Sequence, residues 1–153
     1  MEIKLRQADI DKQLEDFEGL CRSKGLPLTV QRRTILEAIL KLDDHPTADR
    51  IFESVKDLVS GISRTTVYRV LETLVELGVV RKIQHHGASV RYDGNTGRHH
   101  HLVCIRCNRV VDYLCDTLDQ LPLPISNPGG FDISDFSVQF TGLCPDCRKE
   151  QAQ

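Results

Sequence analysis

Six cysteines stand in this 153-residue chain, and four of them form two pairs at one spacing, Cys104-Ile105-Arg106-Cys107 and Cys144-Pro145-Asp146-Cys147. A two-residue gap lets both thiolates of one turn reach a single ion at ~2.3 Å, and two such turns complete a tetrahedron. One pair alone would serve equally as a redox dithiol; two together point to zinc. Every corner of that tetrahedron is filled, so the expected role is structural. One Zn2+ per subunit would clip the strand region near Cys104 to a distant C-terminal turn. Cys21 and Cys115 are unpaired and read as buried small residues.

A second cluster lies just upstream, in the run His99-His100-His101. On an extended backbone His99 and His101 point to one face and His100 to the other. Cys104 then falls on the face opposite His99 and His101, so two separate ions are expected. Asp93 and Asp112 are both able to come near. Two imidazoles with carboxylates make a mixed nitrogen–oxygen site, suited to Fe2+, Mn2+ or Zn2+ rather than to soft metals. A zinc-dependent hydrolase built on this cluster is the rival from another class. It needs an activated water with a further acid–base pair, and the sequence supplies none.

The elements that must position these residues change character along the chain. Residues 1–78 read as helical. Ile10, Leu14, Phe17 and Cys21 form one stripe, ended by Gly25-Leu26-Pro27. Thr29 caps a second helix with Ile35, Leu36, Ile39 and Leu40 inward. Thr47 caps a third with Ile51, Phe52, Val55, Leu58 and Val59, and Ser63 a fourth with Val67, Val70, Leu71 and Leu74. Gly78 sits where that helix must stop. Val79–Gln84 and Ala88–Tyr92 then read as two strands joined at His85-His86-Gly87. Helices followed by a basic hairpin make a winged helix-turn-helix. Beyond the polar loop Asp93–Arg98 come strands at His101–Ile105, Arg109–Leu114 and Phe131–Leu143. Pro122, Pro124 and Pro128 leave room for only a short helix between the last two. The fold class is α+β, with domains at 1–93 and 99–153 and a hinge at 94–98.

Composition excludes several classes. The chain is 40% hydrophobic and 27% charged, the balance of a folded soluble protein. No apolar run approaches membrane-spanning length, and the N-terminus is too charged for a signal peptide, so a cytoplasmic protein without a membrane partner is expected. The net charge of −2 is silent about nucleic acid, but its distribution is not. Arg22, Lys24, Arg32, Arg33 and Lys41 face a single acid, Glu37, over residues 22–41. Asp112, Asp116, Asp119, Asp132 and Asp135 have no basic counterpart over residues 110–135. In the fourth helix the apolar stripe leaves Arg64, Thr65, Tyr68 and Arg69 outward and near the N-terminus, as in a recognition helix entering the major groove of double-stranded DNA. Arg81 and Lys82 stand where a wing would touch the phosphate backbone.

Taken together, these residues resemble the ferric uptake regulator (Fur) family over nearly the whole chain. The resemblance is carried by Gly25–Arg33, His45-Pro46-Thr47-Ala48, Ser63-Arg64-Thr65-Thr66-Val67-Tyr68-Arg69 and His99–Cys107. It implies a homodimer joined through the C-terminal domain, a DNA operator as partner, and no small-molecule substrate or enzymatic activity. It also adds His45 as a ligand, giving the regulatory set His45, Asp93, His99, His101 and Asp112 for one Fe2+ or Mn2+ per subunit. Asp93 and Asp112, where iron-type members carry Glu at one or both positions, resemble the peroxide-sensing branch, as does Arg91-Tyr92-Asp93-Gly94-Asn95. Zinc-type members carry a cysteine near the wing end, and Ser89–Asn95 has none; the haem-type Cys-Pro motif before the wing is absent too. Two features depart from the family: a last-strand His that ligates a third metal in many members is missing from Ser134–Ser137, and prolines shorten the helix before it. The implied function is a metal-dependent repressor that senses peroxide through Fe2+-catalysed oxidation of a ligand histidine, His45 or His99. An iron-responsive repressor with reversible metal binding is the alternative within the family.

Overall fold

The computed structural model describes residues 6–42, 44–84, 87–124 and 128–151. The chain divides into two compact units, one running through Thr96 and the other from Gly97 onward. Among the described residues, no helix is long and apolar enough to cross a membrane.

The N-terminal unit is built from α1 (Gln7–Ser23), α2 (Val30–Lys41), α3 (Ala48–Val55) and α4 (Arg64–Glu76), followed by the hairpin β1 (Arg81–Ile83) and β2 (Arg91–Asp93). Side chains end the orphan amides at three helix starts. Thr29 Oγ1 accepts from the Arg32 amide, Thr47 Oγ1 from that of Arg50, and Ser63 Oγ from that of Thr66. Gly78 closes α4 at φ +71°, a conformation that costs a residue with a Cβ. The expected stripes of all four helices converge on one core, in which Phe17, Ile35, Leu36, Ile51, Leu71 and Leu74 are almost wholly buried. Leu58 departs from its expected place. The third helix ends at Val55, so Leu58 falls in the turn beyond it and is exposed. The wing is antiparallel, pairing Arg81 with Asp93 and Ile83 with Arg91. The expected turn at His85-His86 lies outside the described residues.

The C-terminal unit is a three-stranded sheet in the order β4-β3-β5, made of β3 (His100–Cys104), β4 (Val110–Tyr113) and β5 (Gln139–Gly142). The β3–β4 pair is antiparallel and β3–β5 parallel. Helix α5 (Asp116–Asp119) is a single turn, and α6 (Pro145–Gln151) follows β5. The last strand is much shorter than the Phe131–Leu143 expected. Among the described residues it pairs only with the five-residue β3, from His101↔Gln139 to Cys104↔Gly142, and the ladder does not extend before Gln139. Cys115 also differs from expectation. It is only half-buried and precedes α5, whereas Cys21 is fully enclosed in the helical core.

Candidate metal centres and nucleic-acid interface

The two CxxC pairs meet within the C-terminal unit. Cys104 ends β3, Cys107 follows in the turn to β4, and Cys144 and Cys147 flank the start of α6. Their four sulfurs lie within 4.8 Å of one another. Thiolates bound to zinc at ~2.3 Å in a tetrahedron stand about 3.8 Å apart, and Cys107 Sγ and Cys144 Sγ are 3.8 Å apart. Asn108 takes a left-handed backbone, φ +58°, which turns the first pair back under its own strand. The second pair is tied across: the Cys144 amide points at Cys104 Sγ at 3.4 Å, and Arg106 Nη1 donates to the Cys147 carbonyl at 3.1 Å. Backbone amides of Cys107 and Cys144 pull the Cys104 thiol down to about 6, while burial pushes Cys147 up to about 12. A dication is what would make all four thiolates at once. The donor set fits a structural zinc, with no position left open.

The histidine run divides as parity requires. His99 Nε2 and His101 Nε2 are 3.0 Å apart, the separation of two nitrogens held at right angles about 2.1 Å from one ion. Asp112 Oδ1, brought opposite His101 by the β3–β4 register, lies 3.4 Å from His99 Nε2 and 3.7 Å from His101 Nε2. His99 Nδ1 is 2.8 Å from the Gly97 carbonyl, which fixes the proton on Nδ1 and leaves the Nε2 lone pair for a metal. His100 faces away and is fully buried, its Nδ1 accepting from the Val138 amide and its Nε2 3.2 Å from Asp119 Oδ1. It is therefore not a fourth member of the cluster. These three donors fit an Fe2+ or Mn2+ site of mixed nitrogen and oxygen.

His45 and Asp93 lie in the N-terminal unit, both buried, with His45 Nε2 3.9 Å from Asp93 Oδ1. His45 holds φ +51°, a left-handed conformation that costs a non-glycine residue about 1–3 kcal/mol and marks functional positions. The wing enforces it. Arg91 Nη1 donates to the His45 carbonyl at 2.8 Å, and the Tyr92 amide to that of Pro46 at 3.0 Å. Asp93 Oδ1 accepts from the Asn95 amide at 2.8 Å. Between them Gly94 packs so closely on α2 that a Cβ there would stand 2.5 Å from Leu40 Cδ2. Spacing alone gives no signal for His45. Its left-handed backbone beside a buried aspartate is what singles it out.

The expected DNA-contacting residues occupy two environments. Arg64, Thr65, Tyr68 and Arg69 are exposed on the first turns of α4, with Tyr68 48% accessible. Arg32 and Arg81 are committed to backbone carbonyls, of Pro27 at 2.6 Å and of Thr96 at 2.9 Å. The basic run on α2 is also partly spent internally, since Arg33 pairs with Glu18 and Glu37, and Lys41 with Glu37.

The ferric uptake regulator family profile matches residues 23–141. The chain belongs to that family. Its members are regulators of transcription, not enzymes, and this protein is a metal-dependent repressor of that kind. It is 30% identical to the peroxide-responsive repressor PerR of Staphylococcus epidermidis, across 92% of this chain and 94% of that protein. Among solved structures, the Francisella tularensis ferric uptake regulator with iron is 27% identical, with a TM-score of 0.66 over 81% of this chain and 96% of that one. The Helicobacter pylori ferric uptake regulator reaches a TM-score of 0.75, covering 97% of both chains, at 16% identity, a likeness of fold.

Proposed function

We propose that the protein is a cytoplasmic repressor that releases its DNA operator when peroxide oxidises a histidine of its regulatory metal site. The observation that carries this reading is the His99–His101–Asp112 cluster, a donor set for Fe2+ whose carboxylate is the shorter aspartate. Relatives named for peroxide response support it. In this reading His45 and Asp93 join the same ion as further ligands, so that occupancy favours one arrangement of the winged helix in the dimer. A ligand that prefers one of two states is all that such regulation requires. When bound, Fe2+ supplies the reducing power that opens the O–O bond of peroxide. The net change is insertion of one peroxide oxygen into an imidazole C–H of His45 or His99, with water as the other product. The oxidised ring no longer offers the same ligand, metal is lost, and the dimer leaves its operator.

The test compares DNA binding by the Fe2+ and Mn2+ forms before and after peroxide, followed by peptide mass analysis. The Fe2+ form is expected to lose its operator, and a peptide containing His45 or His99 to gain the mass of one oxygen. The Mn2+ form should do neither. If the Fe2+ form keeps its DNA with unmodified histidines, while metal removal releases it, the iron-responsive reading takes over.

The exposed first turns of α4 give the DNA contact its own check. Tyr68→Ala should weaken operator binding by about 1 kcal/mol, the size of one hydrogen bond. Zinc content and dimerisation should be unchanged, since Tyr68 packs against no core. Unaltered operator affinity in this variant would mean that another element reads the DNA.

A further inference from the structure

Arg64, the first residue of α4, already has partners. Its guanidinium lies over the Phe52 ring, 4.4 Å from the centroid. The same group donates to Asp49 Oδ1 and, at 3.4 Å, to Glu53 Oε1, both on α3. Asp49 and Glu53 are one helical turn apart and so share a face. Glu53 also pairs with Lys56. The side chains of Arg64, Asp49 and Glu53 are 53%, 71% and 51% exposed, so the cluster lies in solvent beside the outward face of α4. Arg69, on that same face, has no ion pair among the described residues.

Magnitudes decide what such a cluster does. Exposed ion pairs contribute little to holding helices together, and α3 and α4 are already joined through the buried Ile51, Val55, Val67 and Leu71. The consequence is therefore electrostatic. Two carboxylates surround one guanidinium at a helix N-terminus, which is otherwise a favourable place for a phosphate. A DNA phosphate must displace both acids before Arg64 can serve it.

We propose that Asp49 and Glu53 form an acidic latch that withholds Arg64 from DNA phosphates and so weakens binding to arbitrary sequence. They are thus specificity-determining residues of the DNA-binding face. The proposal rests on the DNA-binding reading above. An operator that seats α4 fully brings a phosphate close enough to release the latch; a scrambled duplex does not.

The experiment measures fluorescence anisotropy of the full chain, loaded with zinc and Mn2+, on a scrambled duplex across a salt series. Asp49→Asn with Glu53→Gln is expected to tighten that binding about tenfold and to steepen the slope of log affinity against log salt by about one per subunit, the signature of one added phosphate contact. Each single substitution should give part of the gain. Arg64→Ala added to the double variant should remove the extra slope. Unchanged affinity in the double variant overturns the latch. So does extra slope that survives loss of Arg64, which would show simple relief of repulsion. A wild-type protein that binds neither operator nor scrambled duplex would sink the DNA-binding reading itself, an outcome distinct from either.

Discussion

Cys104→Ser or Cys147→Ser will leave the C-terminal unit unfolded while the helical unit keeps its structure. The reason is the difference between the two cores. Among the described residues nineteen buried apolar side chains form one cluster through Thr96, from Ile10 to Tyr92. Among the described residues beyond Gly97 the buried apolar ones are Val103, Cys104, Val110 and Cys147, and two of those four belong to the four-cysteine cluster that would hold zinc. So small a core cannot offset the chain entropy of its own strands and turns. Strand β5 makes the point most clearly. All four of its residues are exposed, and it is held by backbone bonds to β3 and by the neighbouring Cys144. Structural zinc contributes roughly 10–16 kcal/mol in small zinc domains, against a whole-domain stability of roughly 5–15. Loss of the zinc would therefore remove an amount comparable to the whole margin. Zinc analysis, sedimentation and amide exchange should show no bound zinc, a monomer, and loss of protection over β3–β5 with α1–α4 still protected. A serine variant that stays dimeric with β3–β5 protected and no zinc would contradict this account.

The same contrast explains which parts of the fold are legible in the amino-acid sequence. The four helices were legible because each carries a polar cap and a stripe at helical spacing, and Thr29, Thr47 and Ser63 do cap them. The separation of the cysteine and histidine clusters was legible because strand parity alone puts His99 and His101 opposite His100 and Cys104. What failed was whatever depends on pairing partners or on backbone strain. The extent of β5 is set by the length of β3, which no property of residues 131–143 encodes. Leu58 continues an apolar stripe, yet α3 stops at Val55, three residues before it. Helix α6 was missed although its signals were present: Pro145 at the first helical position, Asp146 in the first turn, and Arg148 and Lys149 in the last. The CxxC spacing by itself reads as a turn at those residues. His45 came only through family resemblance, because a left-handed residue before a proline leaves no periodic trace.

Asp112→Glu is expected to keep metal-dependent operator binding while making the Fe2+ form insensitive to low peroxide. Asp112 is buried, and its Oδ1 stands 3.4 Å from His99 Nε2 and 3.7 Å from His101 Nε2. Its main chain is fixed by the register with His101, so its reach is set by side-chain length alone. In the proposed reading an aspartate there would offer the ion one oxygen. A glutamate is longer by one methylene and would be able to turn both oxygens inward, filling a position that peroxide would need. Affinity for Mn2+ or Fe2+ should then hold or rise, because the charge is unchanged and a donor is added. Oxidation should slow by about tenfold or more, equivalent to about 1.4 kcal/mol in the barrier. Peroxide titration of operator complexes, with oxidised His45 and His99 peptides counted in parallel, separates the two effects. If Asp112→Glu loses metal and DNA together, the extra methylene has been rejected by the packing and the carboxylate's reach does not set sensitivity. If it binds DNA normally and is oxidised as fast as the wild type, access of peroxide is governed elsewhere in the site. The predicted pattern, intact repression with slowed oxidation, requires the aspartate to be chosen for the position it leaves open.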